Sequence, residues 1–414
     1  VLSSSWRGRT TRGLLVLGAA AALVLTGCSS KSTTSGGGSE SGTSGGSGAL
    51  SIQPIGPVDS SGKTLSMGEV AKAADPAGDG KATCAPGTAL AFAGAQTGAN
   101  AALGINISLG AKLAVDKHNK ANPNCKVDLK IFDTEGDPQK ATSVIPQVIN
   151  DKSIIGLVGP AFSGETKATG QILSDNGLAA LTSSATNATL STNNWKTFFR
   201  GLANDDVQGT SVGKYLAANY KKVCVVQDDS DYGTGLAKSI TAGLGAVADP
   251  SCAAGVKTGD KDFSATVTKV SAANPDAVFY SGYYAEGAPF AAQLKSGGVK
   301  ATFVGPDGVN DPQFLAQAGS AAKGAVLSCP CGPAPDQFEK DYQALNGQKS
   351  GVYSVEAYDL ATILLKAIDG GKSSRADVLD YVRGYEGDGT GGRHYKWNAQ
   401  GELTNAVVWI YTVK

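Results

Sequence analysis

The feature that most constrains this chain is a rhythm. From Thr88 onward, short apolar runs alternate with amphipathic stretches, and the alternation is played twice. The runs at 89–93, 127–132, 154–159 and 178–181 have the length and continuity of parallel strands covered on both faces. Between them, a helix over 104–119 sets Leu103, Ile107, Ala111, Ala114 and Val115 on one side. A second, over 137–150, opens with Asp137-Pro138, an acceptor side chain followed by proline at the first turn. After Arg200 the pattern restarts. Helices over 205–218, 232–244, 263–272 and 286–296 alternate with strands over 222–227, 253–257, 277–281, 302–305 and 324–328. Helices over 352–368 and 375–381 follow, and 393–397 with 406–413 reads as a closing hairpin turning at 398–401. Two such series predict an α/β chain of two lobes, each a mostly parallel sheet flanked by helices. Residues 49–83 fit neither series and read as a loosely docked extension.

The chain's start follows different rules. Arg7, Arg9 and Arg12 precede an apolar run at 14–25 of about a dozen residues, too short to span a bilayer comfortably. The run ends Leu25-Thr26-Gly27-Cys28, which resembles the lipobox of bacterial lipoproteins, where the peptide is cut before a cysteine that is then acylated. On that resemblance 1–27 is a signal peptide, Cys28 the lipidated residue and 28–48 a tether. Eighteen of the twenty residues at 29–48 are Ser, Gly or Thr, a flexible coil spanning about 25 Å on average. The implied location is the outer face of the cytoplasmic membrane, held by a lipid anchor.

Lys+Arg and Asp+Glu are both 36, so without the three leading arginines the rest is slightly acidic. That argues against a polybasic nucleic-acid binder. The two histidines, His118 and His394, are far apart in the chain, and no cysteine pair has zinc-finger spacing, so no metal or cofactor is expected. Beyond Cys28 stand Cys84, Cys125, Cys224, Cys252, Cys329 and Cys331. An even set in an exported chain points to disulfides, and six cysteines allow fifteen pairings. Consecutive strands of an open sheet are often neighbours, which favours Cys84 with Cys125 and Cys224 with Cys252. Cys329 and Cys331 are left to close a small ring or to stay reduced.

Many short blocks in order carry a further resemblance. They include Ile155-Gly156-Leu157-Val158-Gly159-Pro160 followed by Ser163, then Ser184-Ala185-Thr186-Asn187, Phe199-Arg200 and Asp231-Tyr232-Gly233-Thr234-Gly235. Gly282-Tyr283-Tyr284-Ala285-Glu286 and Val304-Gly305-Pro306-Asp307-Gly308 complete the set. From about Gly94 onward the chain resembles the type I periplasmic binding proteins of ABC importers, in their leucine/isoleucine/valine-binding branch. The resemblance implies two lobes with a ligand cleft between them, lobe one from 84–203 plus 336–386 and lobe two from 204–335 plus 387–414. The crossings then fall near Asn204, near 330–335 and near 387–393.

A free amino acid presents a carboxylate, an ammonium and a side chain, each of which needs a partner on leaving water. Ser163 opens a helix after a strand, where hydroxyl and backbone N–H groups hold anions, though an ordinary N-cap would look the same. The resemblance implies that Ser163, Ser184 (through its backbone) and Thr186 hold the α-carboxylate and part of the ammonium. It implies that Asp307 is the ammonium's carboxylate, at a position where relatives commonly carry Glu, and that Tyr232 and Tyr283 close over the ligand. Where relatives often carry an aromatic residue the chain has Leu103, which leaves the side-chain pocket open in character.

Other patterns carry less. Gly209-Thr210-Ser211-Val212-Gly213 spells a hydrolase elbow, but a polar helix start precedes it instead of a strand. Gly233-Thr234-Gly235 lacks the third glycine of a dinucleotide site, since Lys238 stands there. Asp228, Asp229 and Asp231 lack the alternation of a calcium loop. The expectation is a monomeric binding protein rather than an enzyme. It would take a branched-chain or similar apolar amino acid and deliver it to an ABC permease in the membrane. The alternatives are a sensor subunit for a membrane signalling receptor, or a binding protein for a small amide.

Overall fold

Ala89–Gly94 (β2) is buried at all six positions, as an apolar run without alternation must be. It becomes the inner strand of a five-stranded sheet with Asp128–Asp133 (β3), Ile154–Val158 (β4), Ala180–Thr182 (β5) and Phe198–Arg200 (β6). The order is β3-β2-β4-β5-β6 and every pairing is parallel. The computed structural model describes residues 49–66 and 74–414, all within one compact unit, Ala49–Lys414.

Helices cover this sheet on both faces. Ala101–Ala121 (α1) lies along Ser354–Asp369 (α10), with Asp336–Asn346 (α9) beside it. The approach of α1 to α10 is close because Gly110 has no side chain: a Cβ there would stand 2.2 Å from the Ser354 carbonyl oxygen. Pro138–Asn150 (α2) and Ser163–Asp175 (α3) pack together, and Arg375–Arg383 (α11) packs on β4. The start of α2 is fixed as its sequence predicts, the Asp137 carboxylate accepting from the Gln139 N–H at 2.6 Å and the Lys140 N–H at 3.3 Å.

The second sheet has seven strands. Val223–Gln227 (β7), Ala254–Gly255 (β8), Ala277–Ser281 (β9), Thr302–Gly305 (β10) and Val326–Cys329 (β11) run parallel. Asp205–Asn219 (α4) packs along Asp231–Leu244 (α5), Tyr284–Ser296 (α7) along Pro312–Ala318 (α8), and Ser264–Ala273 (α6) against α7. Beyond β11 the sheet turns antiparallel. Val408–Val413 (β14) pairs with β11, and Ile52–Val58 (β1) pairs with β14. The full order is β1-β14-β11-β10-β9-β7-β8.

Three expectations need correction. Residues 49–83 are not a loose appendage, since 52–58 supplies the edge strand β1. Its prolines explain the misreading: Pro54 and Pro57 weaken a strand pattern, yet proline is tolerated at an edge, and the register shifts by a bulge between Pro54 and Gly56. Farther along, Asn122 holds the segment to the first sheet's helices, accepting from the Ala82 N–H at 3.1 Å and donating to the Ala77 carbonyl at 3.1 Å. The closing hairpin does not form as drawn either. His394–Lys396 (β13) pairs with Glu386–Asp388 (β12), while β14 takes β1 and β11. The turn at 398–401 exists, the Gly401 N–H reaching the Asn398 carbonyl, but its second arm is the bridge of Leu403 to Trp397. Finally, the crossing expected at 387–393 comes later. The Trp397 indole donates to the Arg200 carbonyl at 2.6 Å, and Glu402 pairs with Arg200 at 2.8 Å, so this stretch rests on the first sheet until β14 begins.

The cysteines stand in pairs: Cys84 beside Cys125 with Cα atoms 4.8 Å apart, Cys224 beside Cys252 at 5.5 Å, and Cys329 beside Cys331 at 4.9 Å. Each separation suits a disulfide. Among the described residues no helix is long and apolar enough to cross a membrane. Cys28, the signal peptide and the tether lie outside the described residues.

Candidate functional site

In an open α/β sheet, ligands settle beyond the carboxyl ends of the strands. Here the segments following those ends converge on one small cavity. Leu103 and Ile107 come from α1 after β2, Ala161 and Phe162 from the turn after β4, and Ser184 from the turn after β5. Tyr232 comes from α5 after β7, Tyr283 and Asp307 from the turns after β9 and β10, and Tyr353 from just before α10. The space open to a water molecule's centre is about 10 Å³, enough for roughly one water. The two sheets' loops are therefore closed on one another. Lys167 reaches Asp231 at 2.6 Å, Asn106 donates to Asp311 at 2.8 Å, and the Phe162 ring meets Tyr283 edge-on at 5.2 Å between centroids.

Asp307 is the electrostatic centre. It is 0% exposed. Its Oδ1 accepts from Gln208 Nε2 and from the Tyr232 hydroxyl, each at 2.7 Å, and its Oδ2 accepts from the Tyr353 hydroxyl. All three donors are neutral. Burial pushes the carboxyl above its ordinary range, while the three donors pull it back. Tyr232 stacks obliquely on Tyr283 at 5.0 Å, and burial raises both phenols well above their usual values. Facing this acidic end is a wall of Leu103, Ile107, Ala161 and Phe162.

Of the residues singled out from sequence, the structure brings Ser184, Tyr232, Tyr283, Asp307 and Leu103 to the cavity wall. Leu103 is at once lining and helix core, at 2% exposure. Ser184 Oγ donates to the Ala161 carbonyl at 2.5 Å, and its backbone N–H makes a long bond to the Thr182 hydroxyl oxygen at 3.4 Å. Ser163 and Thr186 are buried one layer back. Ser163 Oγ accepts from the Asn187 N–H at 3.2 Å and keeps its own proton for an acceptor, while the Thr186 hydroxyl makes no hydrogen bond. Gln208, Phe162, Ile107, Ala161 and Tyr353 were not anticipated. Gln208 reaches the site from α4 by donating to Asp307, and no local motif marks it. Tyr353 holds a left-handed backbone, φ 70°, unusual for a side chain of its size; no local motif marks it.

The competing motifs disperse. Ser211 lies in the middle of α4. Asp228 binds Ser230, Asp229 accepts from Thr258, and Asp231 pairs with Lys167. A larger space of about 390 Å³ opens between the crossover segments, but its charged groups, Arg393 and Glu356, pair with each other at 2.7 Å.

Comparison with known proteins agrees with this geometry. The family model of the periplasmic binding proteins matches residues 89–414. A leucine-, isoleucine-, valine-, threonine- and alanine-binding protein of Pseudomonas aeruginosa is 31% identical over 302 residues, 70% of this chain and 79% of that one. A leucine-specific-binding protein of Salmonella typhimurium is 30% identical over 326 residues, covering 76% and 87%. Among solved structures, a branched-chain amino acid transporter substrate-binding protein of Streptococcus pneumoniae, in complex with isoleucine, superposes with a TM-score of 0.72. It is 25% identical and is matched over 79% of this chain and 99% of its own. The chain belongs to the periplasmic binding protein family.

Proposed function

We propose that this family member is the solute-binding component of an ABC importer, taking an amino acid with an apolar side chain, branched or similar, between its lobes and handing it to a membrane permease. The observation that carries this is Asp307: a fully buried carboxylate, served only by neutral donors, set against an apolar wall. A buried anion in that setting favours a ligand that brings a cation on an apolar body. The Ser163 hydroxyl and the backbone of Ser184 would take the ligand's carboxylate, Asp307 and Thr186 its ammonium, and Tyr232 and Tyr283 would exclude water. No bond in the solute is made or broken. Ligand binding favours the closed form by its differential affinity for closed over open. The names of the relatives support the substrate class: one is a leucine-, isoleucine-, valine-, threonine- and alanine-binding protein, the other a leucine-specific-binding protein. Thermal-shift screening of the exported form against the common amino acids tests it. A true ligand at 100 times its Kd adds about 2.7 kcal/mol of stability; uniform indifference to apolar amino acids would sink the proposal.

The proposal includes attachment through Cys28, disulfides in the pairs noted above, and a monomeric state. Stable anchoring takes two lipid signals, which an acylated N-terminal cysteine supplies. Cys28→Ala should release the protein from membranes with unchanged ligand affinity, read by fractionation and calorimetry. A variant that stays with the membrane rules out Cys28 as the anchor.

A further inference from the structure

Lobe closure has to be carried by the segments that run between the sheets, and one side chain gathers them. Arg393 stands just before β13. Its Nη1 donates to the Gly201 carbonyl at 3.0 Å and to the Pro330 carbonyl at 3.1 Å, and its Nη2 to Glu356 Oε1 at 2.7 Å. Gly201 is the first residue after β6, where the chain leaves the first sheet. Pro330 is the first after β11, where it leaves the second. Both are buried, and among the described residues neither carbonyl accepts another hydrogen bond.

The arginine is mounted on one body and reaches to the other. Glu356 and Asp359 lie three residues apart on α10, so they share a face. Asp359 accepts from the Thr390 N–H at 2.9 Å and from the Tyr395 hydroxyl at 3.2 Å, while Glu356 takes the guanidinium. The stretch 390–395 is thereby fixed to α10, which packs on β4 and β5 of the first sheet. Pro330 goes with the second sheet: the Tyr411 hydroxyl, on β14, donates to the adjoining Cys331 carbonyl at 2.8 Å. The bond from Arg393 to Pro330 therefore joins the two bodies at a crossing. That crossing is poor in donors of its own, because prolines at 330, 333 and 335 remove three N–H groups.

A bond between bodies that turn against each other is made in one arrangement and stretched in the other. Here it is made while the cleft loops are closed on one another. Its release costs little, because a space of about 390 Å³ opens against Arg393, Glu356 and Gly332, room for water to serve a parted donor and acceptor. The guanidinium keeps Glu356 throughout, since both belong to the first body.

We propose that Arg393 is the closing clasp of the hinge: its bond to the Pro330 carbonyl forms in the closed arrangement, breaks in the open one, and so sets the share of molecules that are closed. The inference rests on the lobe closure in the function proposed above and concerns a positioning residue outside the ligand cavity. Apparent affinity scales with the share of molecules in the competent state, so the clasp acts on every solute alike.

Calorimetry and small-angle scattering of the full exported protein test this, with L-leucine, L-isoleucine and L-valine as probes. Arg393→Met combined with Glu356→Leu removes both charges and strands neither. Arg393→Lys keeps the ion pair, but an ammonium held at Glu356 lacks the fork that spans two carbonyls; should the double variant fail to fold, it carries the test alone. Each variant should weaken all three solutes by one common factor of about 10-fold, the worth of a hydrogen bond from a charged group. The radius of gyration should rise without solute and match wild type at saturation. Unchanged affinity in a folded variant overturns the inference. So does a factor that differs among the solutes, which places the effect in the cleft, or an expansion that persists at saturation, which marks a merely structural role. A wild type that binds none of the three defeats the amino-acid function instead; equal ligand-free radii in wild type and variants then overturn the clasp by themselves.

Discussion

Removing the Asp307 carboxylate is the sharpest perturbation the site offers. The residue stands in the turn after β10, outside the strands and helices that build either sheet's core. In the structure it is fully buried and gathers Gln208, Tyr232 and Tyr353, two of them at 2.7 Å. Asp307→Ala therefore does two things. It removes one partner of a desolvated charge pair, a truncation that costs on the order of 2–5 kcal/mol, or roughly 30-fold to several thousand-fold in affinity. It also strands three donors in the closed form, each worth about 1–3 kcal/mol when buried without an acceptor. The second cost falls on closure, because water can serve the same donors when the lobes part. Both push one way, so the affinity loss belongs at the upper end of the range, while each lobe's own core keeps its packing. Asp307→Asn should recover part of the loss, since it can still accept from one tyrosine. Asp307→Glu should cost least of the three, although an added methylene must find room beside a space of about 10 Å³. Isothermal titration with the best ligand from the screen measures all three. An Asp307→Ala protein that binds as tightly as wild type would refute the placement of the ammonium.

Two more outcomes follow from buried groups. Non-reducing digestion should yield peptides joining Cys84 to Cys125 and Cys224 to Cys252; closing loops with separations of 41 and 28 residues, each bond should contribute about 4 kcal/mol to unfolding free energy in denaturant titrations. A Cys84 peptide joined to a cysteine of the second sheet would contradict the lobe assignment. For pH, burial raises Glu165 and Asp359 to about 7 and Asp228 to about 6. Their folded pKa lies above the unfolded one, so their stabilising contribution is complete below the ordinary carboxylate range and is lost as pH rises through 6 to 7. Asp133 and Asp151, lowered to about 2, act oppositely and weaken the fold only as pH falls toward 2. The Tm of the ligand-free protein should therefore decline from pH 5 to pH 8, with Glu165→Gln flattening the slope; a Tm that climbs over that interval contradicts the assignment.

The parallel cores were legible because burial on both faces leaves a continuous apolar run, as in β2 and β4, and because caps such as Asp137 declare a helix start. What escaped was decided by partners distant in sequence. β6 is three residues ending in Arg200, a charge that reads as surface until Glu402 is brought against it. α9 carries four acidic or basic residues along a short amphipathic turn sequence and buries only Phe338 and Tyr342. β14 has the composition of a hairpin arm, but register with β1 and β11 sets its neighbours, and no local feature encodes that choice. The cavity divides similarly. Residues at strand ends could be found by position, whereas Tyr353 reaches the wall from the start of α10 and Gln208 joins through its bond to Asp307.

The burial of Asp307 also says why closure should depend on ligand. Elsewhere several buried charges are met by partners: Arg200 by Glu402, Arg393 by Glu356, Glu165 by the Phe162 N–H and the Thr134 hydroxyl. At the cleft, local consistency lapses, as it does at sites reserved for function. In the closed form without a cation, Asp307 is buried among neutral donors, and burial raises its carboxyl. A ligand ammonium would offset that cost in the closed state, and a difference between states is the only quantity by which a ligand can shift the equilibrium. The same arrangement that costs the empty closed form its stability makes the closed form a faithful report of a bound solute.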